Sequence, residues 1–185
     1  SSDLTYRVAQ GREREPIEFS RAEGAVAYCA WAGKRLPTEA EWEFAARHDA
    51  ATAHDRIYPW GDRFDRGRAN CEEAACGDGF ERAAPVGTFD GTGDHGDGTS
   101  PWGVHDMAGN AAELVADCYR EPYLPCGDCR DPRVDEPRVP GTRCSRSERG
   151  GSWAQPGARM QTATRQPEAS AGFRCAASLT RSPGT

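Results

Sequence analysis

No apolar run in this sequence approaches the roughly 20 residues that a membrane-spanning helix needs. Nor is there a basic start followed by an apolar stretch, the pattern of a secretory leader. Only two methionines occur, and the hydrophobic fraction is 37%. Basic residues form no run, and the formal net charge is −6. A nucleic acid is therefore not an expected partner, because proteins that bind its backbone present a basic patch. The four histidines, His48, His54, His95 and His105, form neither an HExxH pair nor a two-histidine, one-carboxylate spacing. No G-x-S-x-G elbow marks a nucleophilic serine, and there is no internal repeat.

What is present points to one loop-rich domain. A chain of 185 residues is long enough for a single core. Its 21 glycines and 13 prolines suit irregular structure, while five tryptophans, six phenylalanines and five tyrosines argue for a packed interior rather than disorder. Eight cysteines are an even and heavy count, read first as disulfides formed in an oxidising compartment and second as a zinc site. Cys126-Gly127-Asp128-Cys129 is a lone CxxC without a second pair at finger spacing, which disfavours zinc. No βαβ context supports a redox role for it.

The chain is organised around residues 20–47. Ser20 with Glu23 and Thr38 with Glu41 each read as a capping box opening a short helix. The first helix carries Val26, Tyr28, Cys29 and Trp31 and is expected to stop near Gly33; the second follows Pro37 and runs through Trp42 and Phe44 to Arg47. Residues 17–19 and 85–89 read as short strands, and Tyr58-Pro59-Trp60-Gly61 as an aromatic-anchored turn. Residues 119–146 read as a long covering loop. Asp90, Asp94 and Asp97 lie in a solvated loop whose spacing is not that of an EF-hand.

The run AYCAWAGKRLPTEAEWEFAAR resembles the formylglycine-generating enzyme (sulfatase-modifying factor) family. So do Pro59-Trp60-Gly61-Asp62, the segment WGVHDMAGNAAELVADCY (102–119), Arg149-Gly150-Gly151-Ser152-Trp153 and Gly172-Phe173-Arg174-Cys175-Ala176. The resemblance covers nearly the whole chain. It implies an α+β, irregular C-type-lectin-like fold with little regular secondary structure, stabilised by disulfides and calcium. Residues 16–178 are read as that domain, 1–15 as an exposed lead-in and 179–185 as a tail. Family members carry further sequence before this region, so a preceding segment or a partner chain is expected to complete the native protein.

The resemblance also implies site residues. It pairs Cys29 with Cys175. Cys71 and Cys76 bracket one short loop and are expected to bridge. Cys118, Cys126, Cys129 and Cys144 then allow three pairings, of which Cys126–Cys129 with Cys118–Cys144 is preferred. A first calcium set matches at Asn70, Cys71 (carbonyl), Asp78 and Phe80 (carbonyl). A second matches at Asp106, Met107 (carbonyl), Gly109 (carbonyl), Ala111 (carbonyl) and Glu113. Both are oxygen sets of the kind a hard cation takes.

Catalytic members of the family hold copper with two thiolates shortly after the Gly-Gly-Ser-aromatic strand, soft ligands suited to Cu(I). Direct counting puts Gln155 and Met160 at those positions, and an aromatic of the family's pocket is Ala112 here. The expectation is thus a non-catalytic, exported binding or structural module of a bacterium-like cell, secreted, periplasmic or on the cell surface. Its partner is a protein or small-molecule ligand, met by Trp153, Gln155, Arg159, Met160, Gln161 and Arg165. The alternative is a metal-dependent oxidoreductase whose metal site is completed by sequence outside this chain.

Overall fold

The computed structural model describes residues 10–18, 21–71, 78–119, 131–135, 144–151 and 171–178. Helix α1 spans Ala22–Trp31 and α2 spans Glu39–Arg47. A two-residue hairpin follows, β1 (His48–Asp49) with β2 (His54–Asp55), and then a single 3-10 turn at Arg66–Arg68. The main sheet has β3 (Gly109–Cys118) at its centre, antiparallel to β4 (Arg146–Gly151) and parallel to β5 (Gly172–Phe173). Among the described residues no helix is long and apolar enough to cross a membrane.

The two helices start and stop for local reasons. Thr38 Oγ1 accepts the Glu41 amide at 3.2 Å while Glu41 Oε2 accepts the Thr38 amide at 2.8 Å, the reciprocal box expected for α2. α1 ends on Gly33 at φ +69°, with Gly33 N–H on Ala30 O (3.0 Å) and Lys34 N–H on Cys29 O (2.7 Å). That pair of bonds is the Schellman motif, which glycine enters without steric cost. The start of α1 differs from expectation: Arg21 is its N-cap, with no side-chain cap bond, so Glu23 does not stand three residues after the cap. Ser20 lies outside the described residues.

We expect Thr38→Ala to cost about 1 kcal/mol of unfolding free energy. Urea titration of both proteins checks this, and an unchanged midpoint would show that the box contributes nothing.

Successive residues of β3 face opposite layers, as the two-residue period of a strand requires. Leu114 and Ala116 join Ala25, Cys29, Leu36 and Ala171 in one core cluster. Val115 joins Trp42, Ala46, Ala69, Met107 and Ala108 in the other. Glu113 and Asp117, on the Val115 side, reach α2: Trp42 Nε1 donates to Glu113 at 2.7 Å, and the Glu39 amide at the start of α2 donates to Asp117 at 2.7 Å. A carboxylate at a helix N-terminus also meets the positive end of its dipole. From β4, buried Arg149 pairs with Glu39 and Glu43 and lies 5.5 Å over the Trp42 ring.

Two other expectations need correction, and the exposure of α1 is a further finding. Residues 17 and 18 carry no strand, and Phe19 lies outside the described residues. Residues 85–89 turn rather than extend, because the Thr88 amide returns to Pro85 O at 3.1 Å. The apolar residues of α1 do not share one buried face: Ala25 and Cys29 are buried, whereas Val26, Tyr28 and Trp31 are exposed, Trp31 at 81%.

Candidate functional site

The strand β3 and the residue that follows β5 build the site. Parallel pairing sets Glu113 beside Gly172 and Leu114 beside Phe173, which brings Arg174 to the Glu113 carboxylate. The guanidinium donates through Nε and Nη2 to the two carboxylate oxygens, each at 2.5 Å, and Trp42 supplies a third N–H. A two-pronged ion pair of this kind fixes orientation as well as charge. Arg174 Nη2 also lies 3.3 Å from the carbonyls of His105 and Asp106. The disulfide Cys29–Cys175 anchors the next residue to the last turns of α1, with Cα atoms 5.5 Å apart.

Asp106 sits at φ +57° with Oδ2 accepting the Gly87 amide at 2.8 Å. Burial pushes its carboxyl above the ordinary aspartate range, against the pull of that amide and of Arg174. Together Asp106, Glu113 and Arg174 form the polar floor of a cavity of about 310 Å³, walled by Ile17, Val86 and Phe173 and also lined by His105, Asn110 and Ala111. An apolar pocket with a few convergent polar groups is the usual form of a ligand site.

The pH dependence of Asp106 follows from that shift. A carboxyl whose folded value is raised supports the fold while protonated; that support is complete below the unfolded value and is lost as pH rises through the folded one. Asp106→Asn retains an acceptor for Gly87 and removes the titration. In chelator, its stability relative to the parent should therefore improve as pH rises from the acid side of the carboxylate range to neutrality. A pH-independent difference in paired denaturation curves contradicts this.

The two proposed oxygen sets prove to be neighbours. Asn110 N–H donates to Asn70 O at 2.8 Å, and Asn70 Nδ2 reaches Asn110 Oδ1 at 3.3 Å and Arg82 O at 2.7 Å. The Asn70 carbonyl comes so near that a Cβ on Gly109 would stand 2.0 Å from it, so only glycine fits there. Asn110 further holds Ala84, accepting its amide at 2.8 Å and donating to its carbonyl at 3.2 Å. Sequence reasoning missed Asn110 and the role of Arg174. The Gly109-Asn110 pair, both at positive φ, was the available sign of a special backbone here.

The sets differ in how they fit calcium. In the first, Asp78 accepts the Cys71 amide at 2.9 Å and the Phe80 amide at 3.0 Å, gathering Cys71, Asp78 and Phe80 around buried Asn70. The Asn70 amide nitrogen already faces carbonyls, leaving its oxygen as the remaining donor atom to offer. Both Asp78 oxygens are thus amide acceptors, and an ion here would have to share them with the Cys71 and Phe80 N–H groups. In the second, the Glu113 oxygens already hold three N–H donors, two from a cation of the chain itself, and Met107 is packed in the core. An ion there would have to share Glu113 with Arg174. Among the described residues no three His, Cys, Asp or Glu side chains converge as metal ligands.

Two expected disulfides are formed, Cys29–Cys175 and Cys118–Cys144; the latter ties the end of β3 to the approach of β4. Cys71 is also disulfide-bonded. Its expected partner Cys76, and Cys126 and Cys129, lie outside the described residues, as do Trp153, Gln155, Arg159, Met160, Gln161 and Arg165.

Short helices on a small mixed sheet, with long loops latched to a polar pocket, define a mixed α and β domain of irregular design. A sulfatase-modifying factor enzyme 1-like domain model matches residues 3–179, and the chain belongs to this formylglycine-generating enzyme family. It is 36% identical over 184 residues to a formylglycine-generating enzyme of Thermomonospora curvata, covering 90% of this chain and 56% of that protein. It is 35% identical over 192 residues to the inactive C-alpha-formylglycine-generating enzyme 2 of Bos taurus, covering 92% and 54%. The chain thus spans about half the length of these curated relatives. Among solved structures, Treponema denticola variable protein 1 shares the fold, with a TM-score of 0.52 at 23% identity over 85% of this chain and 53% of that one.

Proposed function

We propose that this chain is a non-catalytic member of its family, working as an exported, calcium- and disulfide-stabilised module of C-type-lectin-like fold that recognises a protein or small-molecule ligand. One observation carries the reading: no cysteine occurs between Cys144 and Cys175, the stretch in which catalytic members of the family place their copper thiolates. Cys29, Cys71, Cys118, Cys144 and Cys175 are not alternatives, because each is already in a disulfide. A glutamine and a thioether at 155 and 160 do not replace a thiolate pair for Cu(I).

Disulfides support an oxidising compartment, hence export. Calcium is proposed first for Asn70, Cys71, Asp78 and Phe80; the set at Asp106, Met107, Gly109, Ala111 and Glu113 takes an ion only by sharing Glu113 with Arg174. Ligand contact is assigned to the pocket around Asp106, Glu113 and Arg174 and to Trp153, Gln155, Arg159, Met160 and Arg165.

The test is direct. The native protein is incubated with a cysteine-containing peptide, Cu(I), a thiol reductant and oxygen, and aldehyde is trapped with a hydroxylamine probe. The expected yield equals that of a protein-free control; aldehyde formed over several turnovers would overturn the proposal.

A further inference from the structure

A second concavity lies on residues 60–68, which share nothing with the pocket around Glu113. It is an open cleft of about 690 Å³ lined by Trp60, Phe64, Arg63, Arg66 and Arg68 and also by Asp62 and Asp65. Its aromatic wall is held in place beforehand. Tyr58 and Gly61 exchange both backbone hydrogen bonds, at 2.8 and 3.1 Å, closing a tight turn over Pro59 and Trp60. The indole stacks on Tyr58 at 5.3 Å and 6°, and its N–H is spent on Arg63 O at 3.0 Å. The ring therefore meets the cleft as an apolar surface with no polar demand of its own.

The charges are unevenly committed. Asp62 accepts the Ile57 amide at 2.9 Å and faces His54 Nε2 at 3.2 Å. Asp65 accepts the Gly67 amide at 3.1 Å and pairs with Arg68 Nε at 2.8 Å, while Arg68 Nη1 donates to Asp97 O at 2.7 Å. Both acids and one arginine are thus tied to the chain. Arg63 and Arg66 are exposed, and among the described residues neither guanidinium has an ion-pair or hydrogen-bond partner. A guanidinium fork matches the oxygens of a tetrahedral or carboxylate anion and also stacks on rings.

We propose that this cleft binds a ring-bearing organic anion, a sulfate or phosphate monoester, with its ring on Trp60 and Phe64 and its oxygens on Arg63 and Arg66. The site is independent of the reading given above and stands or falls separately from it.

Phenyl phosphate and phenyl sulfate are the probes, titrated into the native chain by ligand-observed NMR and calorimetry. Inorganic phosphate, inorganic sulfate and phenol serve as the separated halves. At least one ester should bind with a Kd near or below about 1 mM, and each half at least about tenfold more weakly. The double variant Arg63→Ala/Arg66→Ala changes only exposed side chains, and an unaltered melting curve verifies its fold; it should lose about tenfold or more in affinity. The ester that binds more tightly identifies the source of the anion. Binding of neither ester at about 10 mM overturns the site. Equal binding by the double variant does so too, and a ring-free anion that binds as well as its ester removes the aromatic half of the proposal.

Discussion

Arg174→Met is expected to lower the unfolding free energy by about 2 kcal/mol, below what breaking one side of a fully buried ion pair costs because the Arg174 side chain is 28% exposed. The reason lies with the partner left behind. Glu113 has a side chain only 10% exposed and would be left with Trp42 Nε1 as its one side-chain donor among the described residues. Methionine preserves much of the apolar stem, so packing loss is small and the effect is electrostatic. Glu113→Leu in the same chain should restore much of the loss, because removing both charges together spares the desolvated carboxylate. It then leaves the Trp42 N–H unpaired at roughly 1 kcal/mol. Guanidinium titrations of the parent, both single variants and the double variant give the coupling. A cost below about 0.5 kcal/mol for Arg174→Met would mean that the pair behaves as an exposed salt bridge and that water reaches Glu113.

Replacing Cys29 and Cys175 together by serine should cost about 4–5 kcal/mol, because the bridge closes a loop of sequence separation 146 and removes that much entropy from the unfolded chain. The same treatment of Cys118–Cys144, at separation 26, should cost about 3–4 kcal/mol, since closure entropy grows only with the logarithm of loop length. Domains are stable by about 5–15 kcal/mol, so the first variant should lose from about a third to nearly all of its stability. The bridge also holds Cys175 beside Arg174, and its loss loosens the polar floor of the pocket. The comparison is made by circular dichroism under non-reducing denaturation. A larger loss from the shorter loop would show that local packing, rather than chain entropy, decides the contribution of each bridge.

Local chemistry was the most legible part of the sequence. The Thr38–Glu41 box and the glycine stop at Gly33 depend on contacts within a few residues, and both are seen. The pairings of Cys29 with Cys175 and Cys118 with Cys144 were also correct. The centre of the sheet was harder to read. Both faces of β3 are covered, so Leu114, Val115 and Ala116 form a continuous apolar run with no alternation to mark a strand. Residues 85–89 have strand-like composition, but a single i to i+3 bond turns the chain. The site itself depends on partners 61 and 71 residues apart, Arg174 and Trp42 on Glu113. No periodicity encodes such a meeting. Asn110 escaped notice because its work is to latch Asn70 and Ala84, a role visible only once those loops are placed.

The central claim is a family member stabilised by calcium and disulfides that lacks the copper chemistry of catalytic members. Elemental analysis of protein purified natively without chelator, with a thiol count under denaturation, tests it most directly. The account predicts at least about one calcium per chain, as a hard-cation oxygen site would hold, no copper or iron, and no free thiol. Stoichiometric copper or iron, or a pair of titratable thiols, would contradict it.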